Sequence, residues 1–199
     1  MPVTVARAAF VDRDGTVNEL VPDPHTRRPE SPLRPEEVTL IAGAASALRE
    51  LAAAGWLLVG VSNQPAVAKG TVSAEQLASV QARVLELLDA ESVHFDDFRM
   101  CLHHPDGVVG KLARPCECRK PAPGMLIDAA HALGIDLTSS WMIGDTDADV
   151  LAGQAAGCRT VLLAHEASSH KRSGDAEPDL VAPDLGAAAR LLLSGERVN

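Results

Sequence analysis

Asp12 and Asp14 stand two residues apart where the apolar run Ala8-Ala9-Phe10-Val11 stops, and Gly15 and Thr16 follow at once. A run of that kind reads as a buried strand. Two carboxylates at its end repel each other, and burying either one ionised without a partner is costly. A divalent cation removes the conflict. Mg²⁺ suits the place, because it takes a few carboxylates and keeps its other positions for water and substrate phosphate. Gly15 permits the tight turn and close backbone approach that such a ligand needs. Taken alone, the pair reads better as a polar turn after a strand. Three further groups change the balance. Ser62 and Asn63 follow a second apolar run, Lys120 follows a cysteine-rich loop, and Asp145 follows a third run, with Asp147 and Asp149 two and four residues on. This set meets the demands of phosphoryl transfer. A carboxylate can attack phosphorus and form an aspartyl-phosphate. A cation and a lysine neutralise charge on the transferring group. A second carboxylate can protonate the leaving oxygen and then activate water.

A second constellation lies just before Lys120. Cys101-Leu102-His103 and Cys116-Glu117-Cys118 are separated by a short loop containing glycine and proline. Three thiolates and one imidazole satisfy a tetrahedral Zn²⁺ with no open position, which is the pattern of a structural site. Spacing leaves His103 and His104 both eligible. A zinc clamp at 101–118 would hold the adjacent Arg119 and Lys120 rigidly. Cys158 sits apart and is expected to be buried packing.

These groups require elements that carry them to one place. Apolar strands are expected at 8–12, 57–61, within 95–102, at 141–143 and at 160–163. Helices are expected at 44–54, from Ser73 to about Ala90, at 123–133, 148–156 and 185–193. Gly55, Gly134 and Gly157 read as helix ends, and Ser73 with Gln76 has capping-box spacing. Strands alternating with helices imply a parallel sheet covered on both faces. The expected architecture is a single α/β, doubly wound, Rossmann-like domain over residues 1–199, with the zinc loop as an elaboration and no large cap. In such sheets ligands bind beyond the carboxyl ends of the strands, where the winding reverses. Asp12, Asp14, Ser62, Asn63 and Asp145 all fall at strand ends. The stretch 18–37 reads as a long loop with prolines at 22, 24, 29, 32 and 35, a length that is usually functional. The polar stretch 165–178 reads as a mobile loop.

Composition narrows the partners. The 199 residues are 46% hydrophobic and carry a net charge of −9 with no basic stripe. Nucleic acid and anionic membranes are therefore not expected partners. No run approaches the roughly 20 apolar residues of a membrane span. No leader with a basic start and apolar core is visible, and four cysteines without one argue against a disulfide scaffold. A cytoplasmic protein is expected.

Almost the whole chain resembles the haloacid dehalogenase superfamily of phosphatases. Asp12-Arg-Asp14-Gly-Thr16 is similar to its first motif, Ser62 to its second, Lys120 to its third, and Gly144-Asp145-Thr-Asp-Ala-Asp149 to its fourth. The resemblance implies that Asp12 is the nucleophile and Asp14 the general acid/base. It implies that Asp12, the Asp14 backbone carbonyl and Asp145 hold Mg²⁺, and that Ser62 and Lys120 hold the phosphoryl group. Asp149 would act through metal-bound water or fix Lys120. Asp-Arg-Asp-Gly-Thr, Ser-Asn-Gln, Cys-x-His-His-Pro and Cys-x-Cys-Arg-Lys-Pro-x-Pro-Gly-Met together are similar to the D-glycero-D-manno-heptose-1,7-bisphosphate 7-phosphatases and related histidinol-phosphatases. That likeness implies Cys101, His103, Cys116 and Cys118 as zinc ligands. It implies Arg119 as a substrate contact, and Asn63, Gln64 and Pro65 as a segment that touches the sugar. A small phosphorylated sugar is then the expected substrate, with a heptose 1,7-bisphosphate first and histidinol phosphate or an octose bisphosphate as alternatives. The family further implies a monomer. Arg27 and Arg28 are candidates for a distal phosphate. A phospho-accepting receiver domain is the alternative from another class, and Asp14 argues against it, since a second carboxylate hastens loss of the phosphate.

Overall fold

The computed structural model describes residues 6–23 and 26–195. Pro24, one of the five prolines in the long loop, lies outside them. Strand β1 (Ala8–Val11) is buried along its whole length. Its side chains alternate between faces as a strand requires: Ala9 and Val11 enter one core, Ala8 and Phe10 the other. Burial on both faces is why this strand is continuously apolar and does not alternate with polar residues.

A two-stranded hairpin follows, β2 (Val21–Pro22) and β3 (Pro29–Glu30). The main sheet continues with β4 (Leu57–Asn63), β5 (Asp97–Cys101), β6 (Trp141–Gly144), β7 (Arg159–Leu163) and β8 (Leu180–Ala182). Its order is β5-β4-β1-β6-β7-β8, and every pair is parallel. The helices are α1 (Ala44–Ala53), α2 (Ala74–Ala90), α3 (Gly124–Leu133), α4 (Asp147–Ala156) and α5 (Leu185–Ser194). Residues of α1, α2 and α5 fill one core, and residues of α3 and α4 fill the other. The chain winds outward from β1 to β5 on one side, then crosses to β6 and winds outward to β8. The reversal lies between β1 and β6, so a cleft is expected at their carboxyl ends. The expected doubly wound sheet is therefore present.

Three differences from the sequence reading matter. The sixth strand, β8, was not expected: three residues flanked by polar sequence carry too little pattern to be read, and pairing with β7 is what extends them. The stretch 18–37 is not a bare loop, because β2 and β3 pair and a short 3-10 turn occupies Pro35–Glu37. The stretch 165–178, read as mobile, holds a 3-10 helix at Glu166–Lys171 and is tied down at several points. One Arg172 nitrogen (Nη1) donates to the carbonyls of Asp145, Leu163 and His165. The Asp147 carboxylate accepts from the Ser173 backbone and hydroxyl and from the Gly174 backbone. Polarity in this stretch serves internal hydrogen bonds, which composition alone does not distinguish from solvation.

Ser73 caps α2 by accepting from the Gln76 backbone, but the Gln76 side chain donates to the Leu33 carbonyl, so the box is half made. A reciprocal box forms at α4, between Thr146 and Asp149. Cys158 is buried in the α3–α4 core as expected, and that burial pushes its thiol up to about 12.

Candidate active site

The carboxyl ends of β1, β4 and β6 meet at one cavity of about 300 Å³. Asp12 follows β1 directly, and its backbone N–H donates to the Ile143 carbonyl of β6 at 2.9 Å. Lys120 comes from outside the sheet, and β4 fixes it there. Asn63 donates its amide to the Lys120 carbonyl at 2.9 Å, and the Lys120 N–H donates back to Asn63 Oδ1 at 3.0 Å. The buried ammonium donates to the Val61 carbonyl at 2.6 Å. It lies 2.6 Å from Asp12 Oδ1 and 2.6 Å from Asp149 Oδ1. Asp149 Oδ2 in turn accepts from the Thr146 N–H and hydroxyl.

One lysine faces several buried acids, and the balance sets their protonation. Burial, with Asp149 and Asp14 nearby, pushes Asp12 up to about 6 despite Lys120. Burial opposes charge on Lys120, but Asp12 and Asp149 outweigh it and hold the ammonium firmly protonated. Asp145 is raised well above the usual carboxylate range by burial and by the charges of Asp12 and Asp149. Both oxygens of Asp145 are buried without a hydrogen-bond donor. An ionised carboxylate in that state demands a cation. Gly15 makes the necessary space: its φ is +85°, and a Cβ there would overlap Asp145 Oδ2. The Asp12, Asp145 and Asp149 carboxylates offer ligand atoms within 4.8 Å of one another. The donors are all oxygens, which suits a hard cation.

Asp14 sits differently. Its carboxylate accepts from Arg13 Nε at 3.0 Å and Arg13 Nη2 at 3.0 Å, from Asn18 Nδ2 at 3.0 Å and from Gln64 Nε2 at 2.6 Å. Burial raises its pKa, but Arg13, Asn18 and Gln64 together pull it below the usual range. With both oxygens engaged, the side chain is not one of the clustered ligand atoms. Asp147 also stays out of the cluster, because its carboxylate holds Ser173 and Gly174.

The cysteine loop closes as the spacing suggested. The Sγ atoms of Cys101, Cys116 and Cys118 lie 3.2 to 3.5 Å apart, too far for disulfides, and all are free. His103 Nδ1 lies 3.4 Å from Cys118 and 3.8 Å from Cys101. Sulfur atoms bound tetrahedrally to zinc at about 2.3 Å stand about 3.8 Å from each other, so the four donors fit a metal. His104 points elsewhere and accepts from the Asp106 N–H. Of the two histidines that the spacing leaves eligible, His103 is the one whose ring joins the three thiols.

Residues 117–188 match the HAD-hydrolase-like family model. The chain is 37% identical over 178 residues to the D-glycero-β-D-manno-heptose-1,7-bisphosphate 7-phosphatase of Yersinia pestis, across 89% of this chain and 90% of that one. The chain belongs to the haloacid dehalogenase-like phosphatases. The like-named enzyme of Pasteurella multocida is 33% identical over 186 residues, across 94% of this chain and 96% of that one. The D,D-heptose 1,7-bisphosphate phosphatase of B. bronchiseptica, solved in complex with magnesium and phosphate, is similar with a TM-score of 0.74 and 28% identity, across 94% of this chain and 98% of that one. As a haloacid dehalogenase-like phosphatase the chain is an enzyme, which sets aside the receiver-domain alternative.

Several expected site residues of this haloacid dehalogenase-like phosphatase line the cavity: Asp12, Asp14, Ser62 and Lys120 on its floor, and Asn63, Pro65 and Arg119 on its wall. Gln64 does not. It is buried behind the floor, donating to Asp14 and to the Ser62 hydroxyl at 2.9 Å. In the free protein Gln64 faces Asp14 and not the cavity, although the resemblance implied that its segment touches the sugar. Arg27 and Arg28 are exposed and outside the cavity wall. Arg13 was missed as a site residue. It is fully buried, with its third nitrogen, Nη1, donating to Gln81 of α2 at 3.0 Å. A charged residue between two site carboxylates at the end of a buried strand was the available signal. Asn18 and Gln81 carried no signal, since their partners come together only in the fold.

Proposed function

We propose that this haloacid dehalogenase-like phosphatase removes the terminal phosphate of a sugar bisphosphate, with D-glycero-D-manno-heptose 1,7-bisphosphate as the foremost substrate and the 1-phosphate as product. The observation that carries the reading is the Asp12 carboxylate, held by a buried lysine at the head of a polar cavity with a second carboxylate two residues on. The names of the relatives support the sugar.

In this reading Asp12 is the nucleophile. Its attack on phosphorus breaks the bond to the sugar oxygen and forms an aspartyl-phosphate. Lys120 and Ser62 hold the phosphoryl oxygens, and Asn63 keeps Lys120 in place through its backbone. Asp14 gives a proton to the departing sugar oxygen. It then takes one from the water that hydrolyses the intermediate, which restores Asp12. In the free protein Asp14 is held ionised by Arg13, Asn18 and Gln64, the state a base requires. The negative charge of an incoming phosphoryl group raises its affinity for a proton, which supplies the acid. Arg119 contacts the substrate beyond the reacting phosphate.

Asp12, Asp145 and the Asp14 backbone carbonyl would hold Mg²⁺, with Asp149 bracing Lys120. Bound there, the ion would neutralise charge on the phosphoryl group. Cys101, His103, Cys116 and Cys118 would hold a structural Zn²⁺. The chain is read as one domain over 1–199 that works as a cytoplasmic monomer. Among the described residues no helix is long and apolar enough to cross a membrane.

Two experiments address this. Mg²⁺-dependent phosphate release is measured on both anomers of heptose 1,7-bisphosphate, an octose bisphosphate, histidinol phosphate and simple sugar monophosphates. Marked preference for a heptose bisphosphate is expected. Even, weak activity across the panel discards the sugar assignment. For the cysteine site, elemental analysis is expected to find about one zinc per chain. Cys116→Ser is expected to lose that metal and to melt at lower temperature, by roughly 2–4 °C for each kcal/mol lost in a chain of this size. Unchanged metal content refutes the site.

A further inference from the structure

The wall of the cavity carries charge against the trend of the chain. Net charge is −9, yet Lys69, Arg119 and Lys171 all line the cavity in addition to the buried Lys120. Among the described residues Lys69 forms no ion pair, and the hydrogen bond found for Arg119 is a long one, 3.4 Å to the His103 carbonyl. Of the carboxylates that line the cavity, Asp12, Asp14 and Asp149 are buried, and Glu30 alone is exposed. It faces Lys171 Nζ at 3.1 Å and His170 Nε2 at 3.9 Å. Glu30 belongs to β3 of the hairpin, and Lys171 ends the 3-10 helix Glu166–Lys171. Two segments that follow different strands thus meet over one cavity through a cation and an anion.

Lys171 is not on a loose loop. The next residue, Arg172, is tied to the Asp145 carbonyl at 3.2 Å, and Ser173 and Gly174 are tied to Asp147. Ser168, one helical turn before, is fully buried and donates to the His165 carbonyl at 2.9 Å. The lysine is therefore carried by a segment anchored to the same loop that carries Asp145. Its side chain is only a quarter exposed, while that of Glu30 is half exposed. A half-exposed ion pair contributes little, so a better anion can take the place of Glu30. A phosphate carries more charge and three acceptor oxygens.

We propose that Lys171 is a specificity residue that binds the second phosphate of the substrate, with Glu30 as the stand-in anion that the substrate displaces. This rests on the phosphatase reading of the floor and adds what holds the far end. Lys69 and Arg119 complete the anion site, and Glu30 keeps Lys171 aimed into the cavity when no substrate is bound. The site then discriminates by charge at the far end of the substrate. A bisphosphate gains from it, and an ester with an uncharged far end does not.

The test compares kcat and KM for heptose 1,7-bisphosphate, fructose 1,6-bisphosphate and p-nitrophenyl phosphate in the wild type, Lys171→Met, Lys171→Arg and Glu30→Gln. The ratio of kcat/KM for a bisphosphate over that for p-nitrophenyl phosphate is expected to fall about tenfold in Lys171→Met, through KM, as loss of one charge-assisted hydrogen bond implies. Lys171→Arg should restore most of the ratio, and Glu30→Gln should raise it by about twofold, since a neutral residue competes less for Lys171. A wild type that prefers bisphosphates and a Lys171→Met variant that keeps the full preference overturn the assignment of Lys171 alone. A wild type with no preference for bisphosphates overturns the substrate reading and this proposal with it.

Discussion

Lys120→Met is expected to lower kcat by about 10²–10³-fold, the loss that follows removal of a preorganised charge from a transition state, and to destabilise the protein as well. The ammonium is buried and shared between Asp12 and Asp149, 2.6 Å from each. Methionine matches the length of the stem but leaves the carboxylates unpaired. Breaking a buried ion pair from one side costs about 3–5 kcal/mol, and part of that is recovered here because Asp12, already pushed up to about 6, takes a proton more readily still. Asp145→Asn makes the instructive contrast. Asp145 has no donor and sits against the charges of Asp12 and Asp149. Removing its charge should raise the melting temperature of the metal-free protein while abolishing its Mg²⁺-dependent phosphate release. Opposite signs on stability for two substitutions in one cluster would follow only if Lys120 is its counter-charge and Asp145 its excess. Thermal melts in chelator, read beside phosphate release, check both.

Asp14→Asn is expected to separate the two chemical steps. The side chain accepts four hydrogen bonds, from Arg13, Asn18 and Gln64. An amide must turn one N–H₂ group toward these donors, so a stability loss accompanies the kinetic one, and buried Arg13 loses its counter-charge. With p-nitrophenyl phosphate the leaving group departs without an acid. The variant should therefore release about one equivalent of nitrophenol per site and then stall, with turnover reduced about 10²–10⁴-fold, the usual contribution of a general acid–base group. With a sugar phosphate the leaving oxygen needs the proton, and the first step should slow too. Full steady turnover on both substrates would remove Asp14 from the mechanism.

Much of this arrangement was visible in the chain before folding. Asp12, Ser62 and Asp145 could be placed because each ends an apolar run, and the end of a buried strand is both a local pattern and a fixed place in a parallel sheet. The Cys101–Cys118 cluster was visible because short cysteine spacings are themselves geometry. What stayed hidden has a common cause. Gln64 and Asn63 sit next to each other, yet alternate sides of the chain send one behind Asp14 and the other to the Lys120 backbone. Gln81 reaches Arg13 across 68 positions of sequence, and Lys171 meets Glu30 across 141. Such contacts are set by how α2 and the 3-10 helix Glu166–Lys171 lie on the sheet, and no periodicity within either segment encodes it. The 165–178 stretch failed for a related reason. Its polar residues look solvated in isolation, whereas Arg172 and Ser168 spend their hydrogen bonds on Asp145 and its neighbours.

Catalysis in this reading turns on phosphorylation of Asp12. The direct measurement is rapid acid quench of the Asp14→Asn variant with p-nitrophenyl phosphate and Mg²⁺, whose leaving group needs no acid, followed by mass analysis of the peptides. One phosphoryl group is expected on the peptide that carries Asp12, and none when Asp12→Asn is added. Phosphate release that persists in Asp12→Asn, or a phosphoryl group on any other residue, would contradict it.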